Sequence, residues 1–340
     1  MNLNAIPILL GLVTASFGVH LNQAATDGPY HVTKSVKAGG EGGFDYVYAD
    51  SSGRKLYVAR GGSQARVSAY NLDSLDLISE IAGVSARGAA ADASSGHAFA
   101  SSKPVAMWDS KTLTVIKKID VDGRPDGILN DDFNHRTYIF SHSAPNVTVI
   151  DDNDGTVLGT IDLGAAPEQA ASDGRGTIFV DLEDKDSVAV IDAKTMKVTT
   201  TYGLGGKGGG NAGLALDARH HVLFVACHEP QVMVMLDSRT GKILADLPIG
   251  NGVDGAVFNP KTGEAFASTG DGQLTIIKET NPTTFVVEQV LKTMRGAKTL
   301  TLDSKTGAVI LIAAEYAAPA PGSRRGAMTP GSFTILAVNK

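Results

Sequence analysis

The stretch ALDARHHVLFVAC, residues 215–227, holds the pattern that decides the fold: a small apolar residue, Asp217, a short polar turn, then Phe224 among apolar neighbours. It recurs as YADSSGRKLYVAR (48–60), AADASSGHAFAS (90–101), LNDDFNHRTYIFS (129–141), ASDGRGTIFVD (171–181), VFNPKTGEAFAS (257–268) and TLDSKTGAVILIA (301–313). The polar anchors are Asp50, Asp92, Asp131, Asp173, Asp217, Asn259 and Asp303. Their spacing of roughly 42 residues falls in the range of a propeller blade. Seven positions beyond the anchors stand Tyr57, Phe99, Tyr138, Phe224, Phe266 and Ile310, with Phe179 one residue early.

A second echo follows most anchors. VSAYNLDSLDLISEI (67–81), VTVIDDNDGTVLGTI (147–161) and VAVIDAKTMKV (188–198) each read as an alternating strand, a polar turn and another alternating strand. Each repeat therefore offers four short strands, and no stretch carries sustained helical periodicity. A lone four-stranded sheet buries neither face, so seven packed radially make one core. The last repeat supplies three strands, ending in SFTILAVNK (332–340), while YHVTKSVKAGG (30–40) has the alternation of an outer strand. The expected fold is all-β: a single seven-bladed β-propeller over residues 26–340, its last blade closed by the N-terminal strand.

The totals fit a large folded domain. The chain has 340 residues, 43% hydrophobic and 19% charged. A net charge of −6 argues against a general nucleic-acid binder, which needs a basic surface to displace counterions. Cys227 stands alone, which excludes an internal disulfide, a four-cysteine zinc site and a Cys-x-x-Cys-His haem attachment. The apolar run AIPILLGLVTASFGV (5–19) has the length of a signal-peptide core, with cleavage expected near Ala24 or Ala25. Residues 1–25 are thus read as an export signal, the mature protein as periplasmic or secreted, with no transmembrane segment left after cleavage.

LYVAR (56–60), IFVDLEDKDSVAVIDAKTMKV (178–198) and LFVACHEPQVMVMLDSRTGKI (223–243) resemble the YVTN β-propeller repeat. With the export signal, the chain is similar to the YncE-like periplasmic proteins. No repeat reads YVTN letter for letter, and Ile310 replaces the aromatic in the last. The resemblance implies the fold over nearly all the mature chain. It leaves function open, since relatives of this type include lactonase-like enzymes, electron-transfer dehydrogenase subunits and proteins of unknown role.

Propeller topology assigns each residue a face. Five residues before each anchor lies the channel mouth, occupied by Asp45, Arg87, Asp126, Glu168, Ala212, Asp254 and Lys298, with Arg124 and Arg295 close by. Six of the seven are charged where apolar residues would suit a core. Asp126 and Glu168 fall on neighbouring blades. Carboxylates ~6 Å apart at an effective dielectric of ~20 repel by about 3 kcal/mol, enough to hold a proton on one near neutrality. The B–C connections of the same face add Arg60, Lys103, His142, Glu183 and His228, and the loop 317–332 adds Arg324. His142, His228 and Glu183 are candidate ligands of a divalent metal. His97, His135, His220 and His221 fall on the opposite face and are set aside.

Three readings follow. The charged face binds a small anionic molecule or a protein partner. Or the protein is a hydrolase or lyase, with Asp126 and Glu168 as acid and base, His142 or His228 assisting, and Asp45, Arg60, Arg87, Arg124, Asp254, Arg295, Lys298 and Arg324 around the ligand. Or it is a redox partner subunit, for which no cofactor attachment is visible.

Overall fold

The computed structural model describes residues 26–319 and 326–340. The export segment at 1–25, with Arg324 and Arg325, lies outside the described residues. Among the described residues, twenty-eight strands form seven four-stranded sheets, every neighbouring pair antiparallel and in chain order within each sheet except where the chain ends meet. The seven innermost strands are Phe44–Asp50, Ala86–Asp92, Pro125–Asp131, Pro167–Ser172, Asn211–Asp217, Val253–Asn259 and Thr299–Leu302. Each packs against the next and the last against the first, so the sheets close into a ring. This is the seven-bladed β-propeller expected from the repeat. Among the described residues helix is confined to a single 3-10 turn, Glu183–Lys185, and no helix is long and apolar enough to cross a membrane.

The closing strand lies where the missing fourth strand of the last repeat required it. His31–Lys37 pairs antiparallel with Thr334–Asn339, completing blade 7 from the other end of the chain. Closure gives every blade four strands and turns each short inner edge toward the central channel.

The anchors are periodic because the turn needs them. Asp50 accepts a hydrogen bond from the Gly53 amide (2.7 Å), Asp217 from Arg219 (2.8 Å), Asn259 from Lys261 (3.0 Å) and Asp303 from Lys305 (3.1 Å). Each is a side chain imitating a backbone turn between the first and second strands. The second echo uses the same device between the third and fourth strands, through Asn71, Asp109, Asp192 and Asp237. The aromatics sit where successive sheets press together: Tyr57, Phe99, Tyr138, Phe224 and Phe266 are fully buried, and Ile310 fills the equivalent place. Seven apolar clusters result, one between each pair of adjacent blades.

Candidate functional site at the channel mouth

The innermost strands deliver their charged residues to one rim, as their repeat positions imply. The side chains of Asp126, Glu168 and Asp254 retain 16, 12 and 18% of their exposure, buried enough to be strongly coupled yet open to solvent. His142, from the B–C connection of blade 3, turns inward between the first two. Its Nε2 lies 3.0 Å from Asp126 Oδ2 and 3.0 Å from Glu168 Oε2. Tyr46, beside Asp45 on blade 1, crosses the channel to donate its hydroxyl to Glu168 Oε1 at 2.7 Å. The next residue, Gln169, accepts from the Leu214 and Ala256 amides and donates to Ala256 O, tying the inner strands of blades 4, 5 and 6 together.

This arrangement separates the titrations of two neighbouring carboxyls. Burial, reinforced by the charge of Glu168, pushes Asp126 up to about 6. Burial raises Glu168 too, but hydrogen bonds from His142 and Tyr46 outweigh it and hold the group below its ordinary value. The Glu168 hydrogen bond in turn raises His142 above 6.5. Near neutrality Glu168 is therefore the anion, Asp126 the group nearest to taking a proton, and His142 the donor between them. Asp126 Oδ1 is buried without a hydrogen-bond partner, which favours the protonated form further. Across the mouth Asp254, bonded to Lys298, is also raised to about 6 by burial, Lys298 opposing the shift.

The cations gather beside this cluster. A cleft of about 610 Å³ between blades 1, 2 and 3 is lined by Arg87, Lys103 and Arg124, with bare backbone at Gly61 and Gly62. Arg87 is 62% exposed and pairs with Asp45 at 2.9 Å, reaching Asp126 at 3.9 Å. Lys103 Nζ donates to Gly123 O at 3.0 Å. Arg124, exposed, touches His142 Nδ1 at 3.1 Å, a contact that suits the neutral Nε2–H tautomer.

Two expected roles change. Arg60 does not line the site. Its guanidinium is completely buried, stacked 3.9 Å above the Phe333 ring and donating to the carbonyls of Gly39, Gly40, Glu41 and Gly42. It braces the loop that follows the closing strand by donating to four of its carbonyls. The expected metal set of His142, His228 and Glu183 is not assembled either. Glu183 opens the 3-10 turn, and His228 packs on Gly210, its amide donating to Gly209 O at 3.0 Å. Each lies on the B–C connection of its own blade, and of the three only His142 joins Asp126 and Glu168. Among the described residues, metal-ligating atoms converge in two places, Asp126–His142–Glu168 and Asp217–His220–Glu279. Cys227 is fully buried and burial pushes its thiol up, so it is a packing residue. Arg295 remains exposed at the mouth, lining a separate cleft with Lys298, Glu315 and Tyr316.

No family model and no curated protein matches the sequence. Among solved structures, a chain of a mitotic checkpoint complex crystal structure superposes with a TM-score of 0.72 over 99% of this chain and 99% of that one, at 12% identity. At that identity the likeness is one of fold: this chain has the architecture of a complete seven-bladed propeller.

Proposed function

We propose that this protein is an exported, YncE-like propeller that binds a small anionic ligand at its channel mouth. The observation that carries the reading is the convergence of Arg87, Lys103 and Arg124 on one open cleft. The apolar run at residues 5–19 supports export. Two of the cations are held only by single neutral or exposed contacts, so an anion can recruit them at little cost in lost bonds.

Isothermal titration with small carboxylates, sugar acids and inorganic phosphate tests it. Lys103→Ala and Arg124→Ala should each weaken the best ligand by roughly ten- to a hundredfold, the effect of one charge-assisted hydrogen bond of about 1.5–3 kcal/mol. Affinity should also rise as pH falls through 6, because protonating Asp126 removes a negative charge next to the cleft. Unchanged affinity in the Lys103/Arg124 double variant would overturn the proposal.

The proton chain Tyr46–Glu168–His142–Asp126 favours a second reading, hydrolysis or lysis of the bound anion, with Glu168 as base and Asp126 as acid. Glu168→Gln keeps the shape of the site. It should preserve ligand affinity while abolishing turnover of a lactone, ester or glycoside substrate; retained turnover removes Glu168 from that role.

A further inference from the structure

On the rim opposite the mouth, the turn after Asp217 in blade 5 meets Glu279, near the end of the third strand of blade 6 (Gln273–Asn281). His220 Nδ1 lies 2.9 Å from Asp217 Oδ2 and 2.7 Å from Glu279 Oε1. The Asp217 and Glu279 side chains are 5 and 2% exposed, His220 39%. Glu279 Oε2 is buried, and no group donates to it. Two buried carboxylates share one imidazole. Among the described residues no lysine or arginine pairs with either acid.

The other blades supply the comparison. Where an anchoring aspartate meets the following blade elsewhere, that blade contributes a donor. Asp92 lies 3.5 Å from His135, Asp131 accepts from Ser172 Oγ at 2.6 Å, and Asp303 meets Arg54 at 2.9 Å. Only after Asp217, among these junctions, does the following blade contribute an acid.

We infer that Asp217, His220 and Glu279 bind a divalent transition metal of the zinc class, clamping blade 5 to blade 6. One imidazole nitrogen and two carboxylates are a donor set that zinc accepts, with a fourth position left to water on the open side of His220. Bonds of ~2.1 Å in a tetrahedron separate ligand atoms by ~3.4 Å, so the His220 separations of 2.9 and 2.7 Å would open by ~0.5 and ~0.7 Å. Asp217 Oδ1 is already engaged by the Arg219 and His220 amides at 2.8 and 3.2 Å, which orients the carboxylate and leaves Oδ2 for the ion.

Native mass spectrometry of the whole chain, stripped with EDTA and then given stoichiometric zinc, tests the site. The wild type should retain one zinc and gain thermal stability from it. His220→Ala, a change at a half-exposed turn, and Glu279→Gln should each lose that zinc, while His142→Ala, at the other rim, should keep it. A wild type that takes up no zinc overturns the assignment, as does zinc that survives both His220→Ala and Glu279→Gln, or zinc lost only in His142→Ala. The channel-mouth proposal stands or falls separately, because its readout is anion affinity.

Discussion

Replacing Glu264 with alanine should lower the melting temperature by roughly 5–8 °C, the equivalent of about 3–5 kcal/mol in a domain of this size. Glu264 begins the second strand of blade 6 and is completely buried. Its carboxylate accepts from the Tyr30 hydroxyl, just ahead of the closing strand, and from Nζ of Lys340, the last residue of the chain, at 2.6 Å. Lys278 adds a second cation at 3.6 Å. Tyr30 also packs edge-on against Phe266 at 5.2 Å. One side chain of blade 6 thus holds both ends of blade 7. Alanine would strand the Tyr30 hydroxyl and remove the counter-charge of Lys340. Burial raises the Glu264 carboxyl, but Lys340, Thr262 and Tyr30 more than offset it and hold the group below 4.5. A depressed carboxyl stabilises fully above its unfolded value and loses that contribution as pH falls through its folded value. The variant should therefore differ most from the wild type at neutral pH and converge with it in acid. Thermal melts at pH 7 and pH 3 measure both effects, and an unchanged midpoint at pH 7 would show that ring closure does not depend on this residue.

The fold was legible because the features that repeat are those the backbone demands. An Asx turn needs an acceptor at a fixed place, so the anchors recur; two sheets need a large side chain between them, so the aromatics recur. Phe179 comes one residue early because its strand begins four residues after Asp173, against five after Asp50. The outer strand at 31–37 was legible by subtraction, from a last repeat one strand short.

The site was legible only as far as a repeat position fixes a side chain's place. Asp126, Glu168 and His142 could be brought together because face and blade are read from the period. Tyr46 could not: it reaches Glu168 across the channel, a contact between non-neighbouring blades that no spacing encodes. Arg60 misled because a charged residue at a strand end reads as exposed, whereas here a glycine-rich loop folds over it. His220 was set aside as a turn histidine. Its partner Glu279 gave one signal, an acid in a strand position that alternation directs inward, TIIKE at 275–279. Asp181 gave the same signal more plainly, in IFVDL at 178–182, an aspartate inside an apolar second strand.

Asp181→Asn should be more stable than the wild type at pH 7 and lose that advantage by pH 4. Asp181 is completely buried and accepts from Asn211 Nδ2 at 2.9 Å. Its Oδ2 and Asn211 Oδ1 both lack partners, two acceptors with no donor between them. Burial, with the charge of Glu168, pushes the Asp181 carboxyl well above its ordinary 3.8. A proton on Oδ2 would supply the missing donor. The sign follows from proton binding: above 3.8 the unfolded chain releases a proton that the native state keeps, so native stability falls as pH rises, by about 1.4 kcal/mol per pH unit for one group until its folded pKa is reached. Asparagine has the same shape, donates one N–H to Asn211 Oδ1 and carries no proton to lose, so its stability does not follow that slope. Its second N–H, left without a partner, costs about 1–3 kcal/mol. The variant should therefore be the more stable protein at pH 7, with the difference shrinking and then reversing toward pH 4. Asp126, Asp152 and Asp254 are also raised, but they titrate alike in both proteins and cancel in the difference. Urea unfolding of the two proteins at pH 4 and pH 7 reads it directly. A variant less stable at pH 7, or a gap that does not widen with pH, would mean that Asp181 is ionised in the folded blade and that a donor reaches its second oxygen by another route.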